Sequence, residues 1–201
     1  MESLATSALL LVAGAITPGP NNLLMLRVGL ERGVRAALLP ATGVVLGGLA
    51  MLLMLRAGMA GLFAAHPRLR PLVVLGGAMF LAWLGLRMTW RSFGPAGTRE
   101  EPAPHAASGA LGMLLLQFVN PKSWLLVLTI TATAAGGGAR EVSLAALLLL
   151  FIVIPYACLA LWAAGGALAG SVLRTAGTRA WLERATAVLL LVSALILLVQ
   201  A

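Results

Sequence analysis

The stretch "ITPGPNNLLML", residues 16 to 26, decides how this chain folds. It lies within an apolar run, yet it carries Pro18, Gly19, Pro20, Asn21 and Asn22, which an uninterrupted membrane helix avoids. Each interior proline removes a backbone donor and collides with the preceding turn, at a cost of about 3 kcal/mol. A helix has to break here. The backbone groups it frees need partners in protein or in a wet cavity, because lipid offers none.

The surroundings are those of a membrane protein. Of 201 residues, 61% are apolar and only 10% charged, too little polar surface for a soluble domain. Several apolar runs of about 20 residues match a hydrocarbon layer of ~30 Å, and none alternates strictly as a barrel strand does. The fold class is therefore all-α, an integral membrane bundle.

The net charge of +8 comes from arginines that flank the apolar runs, with no aspartate anywhere, which fits topology signals and not a nucleic-acid surface. The lone Cys158 forms no intrachain disulfide, and His66 and His105 stand far apart in polar connections. No metal, cofactor or redox site is expected. Leu4 to Ile16, with Ala13, Gly14 and Ala15, has the look of a signal peptide and its cleavage site, but the residues before it include Glu2 and no Lys or Arg. It reads as a retained helix.

Six spans are expected, at about 4 to 29, 37 to 56, 70 to 90, 109 to 135, 143 to 170 and 181 to 200. Arg27, Arg32, Arg35, Arg87, Arg91, Arg99, Arg174, Arg179 and Arg184 then fall on one side, and only Arg56, Arg68, Arg70 and Arg140 on the other. The arginine-rich side is cytoplasmic by the positive-inside rule, and both termini face outward. Residues 93 to 108, rich in Pro, Gly and charge, form a cytoplasmic linker between a first half, 1 to 92, and a second, 109 to 201. With three spans in each half, any repeat between them is inverted.

Aligning Pro20 with Pro121 sets "PNNLLML" against "PKSWLLV". Pro20 lies 12 residues before Arg32 and Asn120 lies 12 residues after Ser108, so both breaks sit roughly 18 Å from the cytoplasmic ends, near mid-bilayer. Paired breaks in the first and fourth helices of inverted halves point to a transporter's substrate site. Asn120 is a good helix N-cap and Pro121 a good first helical residue.

Lys122, the only lysine, is too deep to snorkel, and its place at a helix start opposes the macrodipole. All six glutamates lie at termini, connections or helix ends. Three compensations are open: an anionic substrate group binds there, the lysine releases its proton and cycles it, or the ammonium rests against backbone carbonyls while the prolines are mere kinks. The pairing of the breaks favours the functional readings. For the isolated Pro40, Pro71 and Pro155 the kink is preferred. "GVVLGG" at 43 to 48 and "GGALAG" at 165 to 170 allow close helix contact or a homodimer. Trp83, Trp90, Trp162 and Trp181 fit interfacial belts, while Trp124 either lines a cavity or packs.

"ITPGPNNLLMLRVGLERGVRAA", "GAMFLAWLGLRMTWRS" and "LLLQFVNPKSW" together resemble the LysE/RhtB family of bacterial amino-acid exporters over nearly the whole chain. The resemblance implies six helices, the inner membrane, export driven by a proton gradient or by exchange, and amino acids or close metabolites as cargo. Many members carry a "GxxxGDxxH" pattern in the second helix. Here "GVVLGGLAM" puts Gly48 and Met51 at the acidic and histidine places. That departure, with "PGPNN" and "LQFVN", is most similar to the subgroup of cysteine and O-acetylserine exporters.

The expectation is a secondary transporter, not an enzyme, acting by alternating access on a small neutral amino acid or metabolite. The half-helix starts, with Pro18, Gly19, Pro20, Pro121 and Lys122, would hold the substrate carboxylate; Thr17, Asn21, Asn22, Gln117 and Asn120 would receive its ammonium group. Lys122 is the one candidate proton carrier. A metal-ion exporter or a membrane enzyme would need ligand clusters, a nucleophile with its base, or paired cysteines, which the sequence lacks.

Overall fold

A computed structural model describes residues 2–58, 109–135, 142–172 and 176–199, with separate positions between 75 and 90. The linker 93–108, His66, His105 and Pro71 lie outside the described residues. Helix α1 runs Glu2–Ile16, α2 Pro20–Arg32, α3 Leu38–Arg56, α4 Ala110–Val119, α5 Pro121–Ala135, α6 Leu144–Val172 and α7 Ala176–Val199. A single 3-10 turn, Val34–Ala37, leads into α3, and the described positions between 75 and 90 are helical. Among the described residues there is no strand. The protein is an all-α membrane protein.

The expected breaks are present. α1 and α2 meet at 57° and α4 and α5 at 72°. Pro20 opens α2 behind an extended Gly19, and Pro121 drives Asn120 into an extended conformation (φ −90°, ψ 110°), as the residue before a proline prefers. α6, by contrast, passes through Pro155 as one helix of 29 residues. One proline bends a helix that its neighbours hold; P-G-P and N-P end one. α2 stops at Gly33, whose φ of 81° only glycine adopts without strain and whose N–H returns to the Gly29 carbonyl at 2.9 Å.

The segments Val34–Arg56 and Leu144–Gly170 are long and apolar enough to cross a membrane, and each bent pair passes the same test when its two helices are taken together. α7 starts at Ala176, earlier than the expected 181. Large apolar side chains cover the exterior, among them Leu9, Leu39, Leu149, Leu161 and Leu195. Amides are inside: Asn22, Gln117 and Asn120 are all at most 4% exposed. This is the arrangement lipid selects, since hydrocarbon solvates leucine but leaves an amide unsatisfied.

Small residues bring the helices together. A Cβ added at Gly29 would lie 2.0 Å from the Ala163 carbonyl oxygen, and one at Gly166 would lie 1.9 Å from that of Leu26, so α2 and α6 touch backbone to backbone. Gly43 meets the Ala110 carbonyl in the same way, joining α3 to α4. In both quoted glycine motifs the close-contact face is taken up within the chain. Arg27, counted above among the topology arginines, is buried and pairs with Glu31 at 2.8 Å.

Two apolar clusters result. One gathers Met25 and Val28 of α2, Met113 and Leu116 of α4, and Leu159 and Ala163 of α6. The other gathers Leu11 of α1, Met51 and Leu52 of α3, Ile130 of α5, and Leu147 and Phe151 of α6. α1 and α5 lie on one side of the breaks, α2 and α4 on the other. The clusters therefore stand on opposite sides of the level where the two helices break.

Candidate functional site

The end of α1 leaves carbonyls that no helical N–H reaches, and side chains from three other elements supply donors. Asn22 Nδ2 donates to the carbonyls of Ala15 (2.8 Å) and Thr17 (2.7 Å). Trp162 Nε1, from α6, donates to Ile16 at 3.1 Å. The Lys122 ammonium donates to the Thr17 carbonyl and, at 3.3 Å, to that of Pro18. Of the three compensations open to Lys122, the backbone carbonyls are the one observed. The sign is favourable: the ammonium lies at the C-terminal, negative end of the α1 dipole, which offsets its poor position at the start of α5. Thr17 and Pro18 are exposed, so their carbonyls are protected by these donors and not by burial.

At the second break the start of α5 is capped by the break's own residue. Asn120 Oδ1 accepts the Lys122 backbone N–H at 3.1 Å, and its carbonyl accepts from the N–H groups of Ser123 (3.0 Å) and Trp124 (3.2 Å). This is the N-cap read from the sequence. Gln117 then ties the breaks together. Its amide exchanges bonds with that of Asn21 at 2.9 and 3.2 Å, its nitrogen also reaches the Met113 carbonyl at 2.8 Å, and its oxygen accepts from Ser123 Oγ at 2.8 Å. All of its hydrogen-bonding positions are in use. A free ammonium acceptor at Gln117, as expected above, therefore requires one of these bonds to open.

Between the breaks lies a cavity of about 70 Å³, room for several waters or for part of a small solute. Its polar wall comes from the breaks: Asn21, Asn22, Gln117, Asn120, Lys122 and Ser123. Gly19 and Pro20 line it as well, whereas Thr17, Pro18 and Pro121 do not. The Thr17 hydroxyl instead folds back onto the Ala13 carbonyl. The rest of the lining is apolar: Val44, Val45 and Gly48 of α3, Phe151, Pro155 and Leu159 of α6, with Leu11, Gly14 and Ala15 of α1 and Leu126 and Val127 of α5. Among the described residues none that lines the cavity is acidic, and Lys122 is the one that brings a formal charge.

Sequence reasoning missed Ser123 as a site residue, although it stands opposite Asn22 in the aligned motifs and is the second polar residue after the second break. It also misplaced Trp162. Nearness to a span end pointed to an interface, but the indole lies at the first break, where a freed carbonyl draws its N–H. Trp124 packs against the Leu11 and Met51 cluster and donates to the Phe118 carbonyl at 2.7 Å. Of the two positions that depart from the family pattern, Gly48 lines the cavity and Met51 is fully buried beyond it.

No curated protein and no solved structure matches the chain. The sequence model of LysE type translocators matches residues 12–201, which contain both breaks and every side chain of the cavity except Leu11. By that match the chain belongs to the LysE type translocator family, a family of membrane-bound solute exporters.

Proposed function

We propose that the protein exports small neutral amino acids or related metabolites, of the cysteine and O-acetylserine kind, from the cytoplasm by alternating access about this cavity. The observation that carries the reading is the polar wall built where two membrane helices break, inside a protein with an apolar exterior. An ammonium has three donors, and two carbonyls occupy two of those on Lys122, which leaves one for a substrate carboxylate. Asn120 engages its oxygen at the start of α5 and offers its amide nitrogen beside that donor. Asn22 engages its nitrogen and offers its oxygen, with the oxygen of Asn21, to a substrate ammonium. Two inverted halves, either side of the 93–108 linker, would rock about the site. The clusters around Met25 and Met113 and around Leu11 and Met51 would close its two faces in turn.

The excess of arginine beside the odd-numbered connections supports an inner-membrane orientation with both termini outside. Lys122 is also the residue to cycle a proton if export is proton-coupled, since no carboxylate lines the cavity among the described residues. The test is an untargeted comparison of solutes released by cells carrying empty vector, wild type or Lys122→Met at equal membrane abundance. Wild-type cells should release extra cysteine, O-acetylserine or another neutral amino acid, chemically unchanged, and Lys122→Met cells should not. Normal release by Lys122→Met would contradict the role given to the lysine; no release above empty vector would contradict the cargo class.

A further inference from the structure

We infer that Gly48 sets the size of cargo side chain the cavity accepts; this rests on the amino-acid reading above. Every polar lining group comes from the helix breaks, so a solute whose charged groups engage them turns its side chain toward the apolar wall, to which α3 and α6 contribute six residues. Gly48 lies on that wall. Three glycines line the cavity, and they differ in what a Cβ would meet. At Gly14 it would lie 2.5 Å from Leu126 Cδ1, and at Gly19 3.0 Å from Lys122 Nζ. At Gly48 it would find only Phe151 Cδ1, at 3.7 Å, an ordinary contact.

A Cβ at position 48 is therefore accommodated without moving its neighbours, and because Gly48 lines the cavity the added volume comes from the cavity. One residue earlier the outcome reverses. A Cβ at Gly47 would lie 2.8 Å from the Leu114 carbonyl oxygen and 2.5 Å from Gln117 Cγ, so Gly47 is needed for α3 to pack on α4. In a cavity of about 70 Å³, the three carbons that a valine adds consume much of the room for a cargo side chain. A single methylene in an apolar pocket changes discrimination by about 10- to 200-fold.

The experiment uses the full chain in liposomes, with efflux of labelled alanine, cysteine, valine and methionine measured for wild type, Gly48→Ala and Gly48→Val, and thermal stability measured beside Gly47→Ala. The expected result is a fall of about 10-fold or more in the ratio of the largest to the smallest solute carried for Gly48→Val. Gly48→Ala should fall between it and wild type, both should keep wild-type stability, and Gly47→Ala should lose it. An unchanged ratio in Gly48→Val, or a stability loss like that of Gly47→Ala, overturns the assignment of Gly48 while leaving the cargo class intact. A wild type that carries none of the four solutes overturns the amino-acid reading itself, and this inference with it; where it carries only one, an unchanged rate for that solute in Gly48→Val overturns the inference alone.

Discussion

The two helix breaks share a sequence pattern but are held in different ways. At the second break the donors and acceptors are local: Asn120 accepts the Lys122 N–H with its side chain and two further N–H groups with its carbonyl, and Trp124, four residues on, donates to the Phe118 carbonyl. The first break spans residues 17 to 19 between α1 and α2 and borrows its donors: Asn22 from the next helix, Trp162 from α6, and Lys122 from beyond the second break. A proline-bearing helix start is cheap to complete, because one N-cap oxygen and a missing N–H cover most of the orphan groups. A helix end in mid-membrane is expensive, because several carbonyls need donors at once. Lys122 makes the completion of the first break depend on the placement of the second.

The largest effect expected from that dependence is at Lys122. Lys122→Met removes the charged donor from the Thr17 and Pro18 carbonyls and should cost about 2–3 kcal/mol of stability. Hydrogen exchange at the end of α1 should rise more than exchange at the start of α5; equal rises at both would contradict the asymmetry. Next comes Asn22→Ala, which strips donors from Ala15 and Thr17 and should cost about 2 kcal/mol, read as a lowered thermal midpoint. Asn120→Ala should cost about 1 kcal/mol, the usual worth of an N-cap, with Asn120→Asp or Asn120→Ser restoring most of it. The smallest effect is that of Trp162→Phe, which keeps the ring and loses one bond to Ile16, at about 0.5–1 kcal/mol. A double-mutant cycle of Lys122→Met with Trp162→Phe should show coupling, since both donors serve one stretch of freed backbone.

Proline and glycine made the fold's main features legible. Pro18, Pro20 and Pro121 marked both breaks from backbone chemistry alone, Asn120 was readable as a cap, and "GVVLGG" and "GGALAG" as close-contact faces. What remained hidden were the long-range partners. Lys122 meets carbonyls 105 positions earlier in the chain, and Trp162 meets one 146 positions earlier. No local pattern encodes such pairings, because they arise only when the helices are docked. The apolar wall was hidden for another reason: α6 is hydrophobic on all sides, so periodicity does not separate Phe151, which lines the cavity, from Leu149, which is exposed. The likeness of "PNN" to "PKS" suggested equivalent roles, whereas Asn21 pairs with Gln117 and Lys122 with backbone.

The central claim is that cargo occupies the cavity between the breaks. Ser123 lines that cavity, and Ser123→Cys, with Cys158 replaced by alanine, places a single thiol there. The measurement is the rate at which a small maleimide labels this thiol, with and without a saturating concentration of the solute that wild-type cells release. The account predicts several-fold slower labelling when the solute is present. An unchanged labelling rate in a variant that still exports the solute would contradict it.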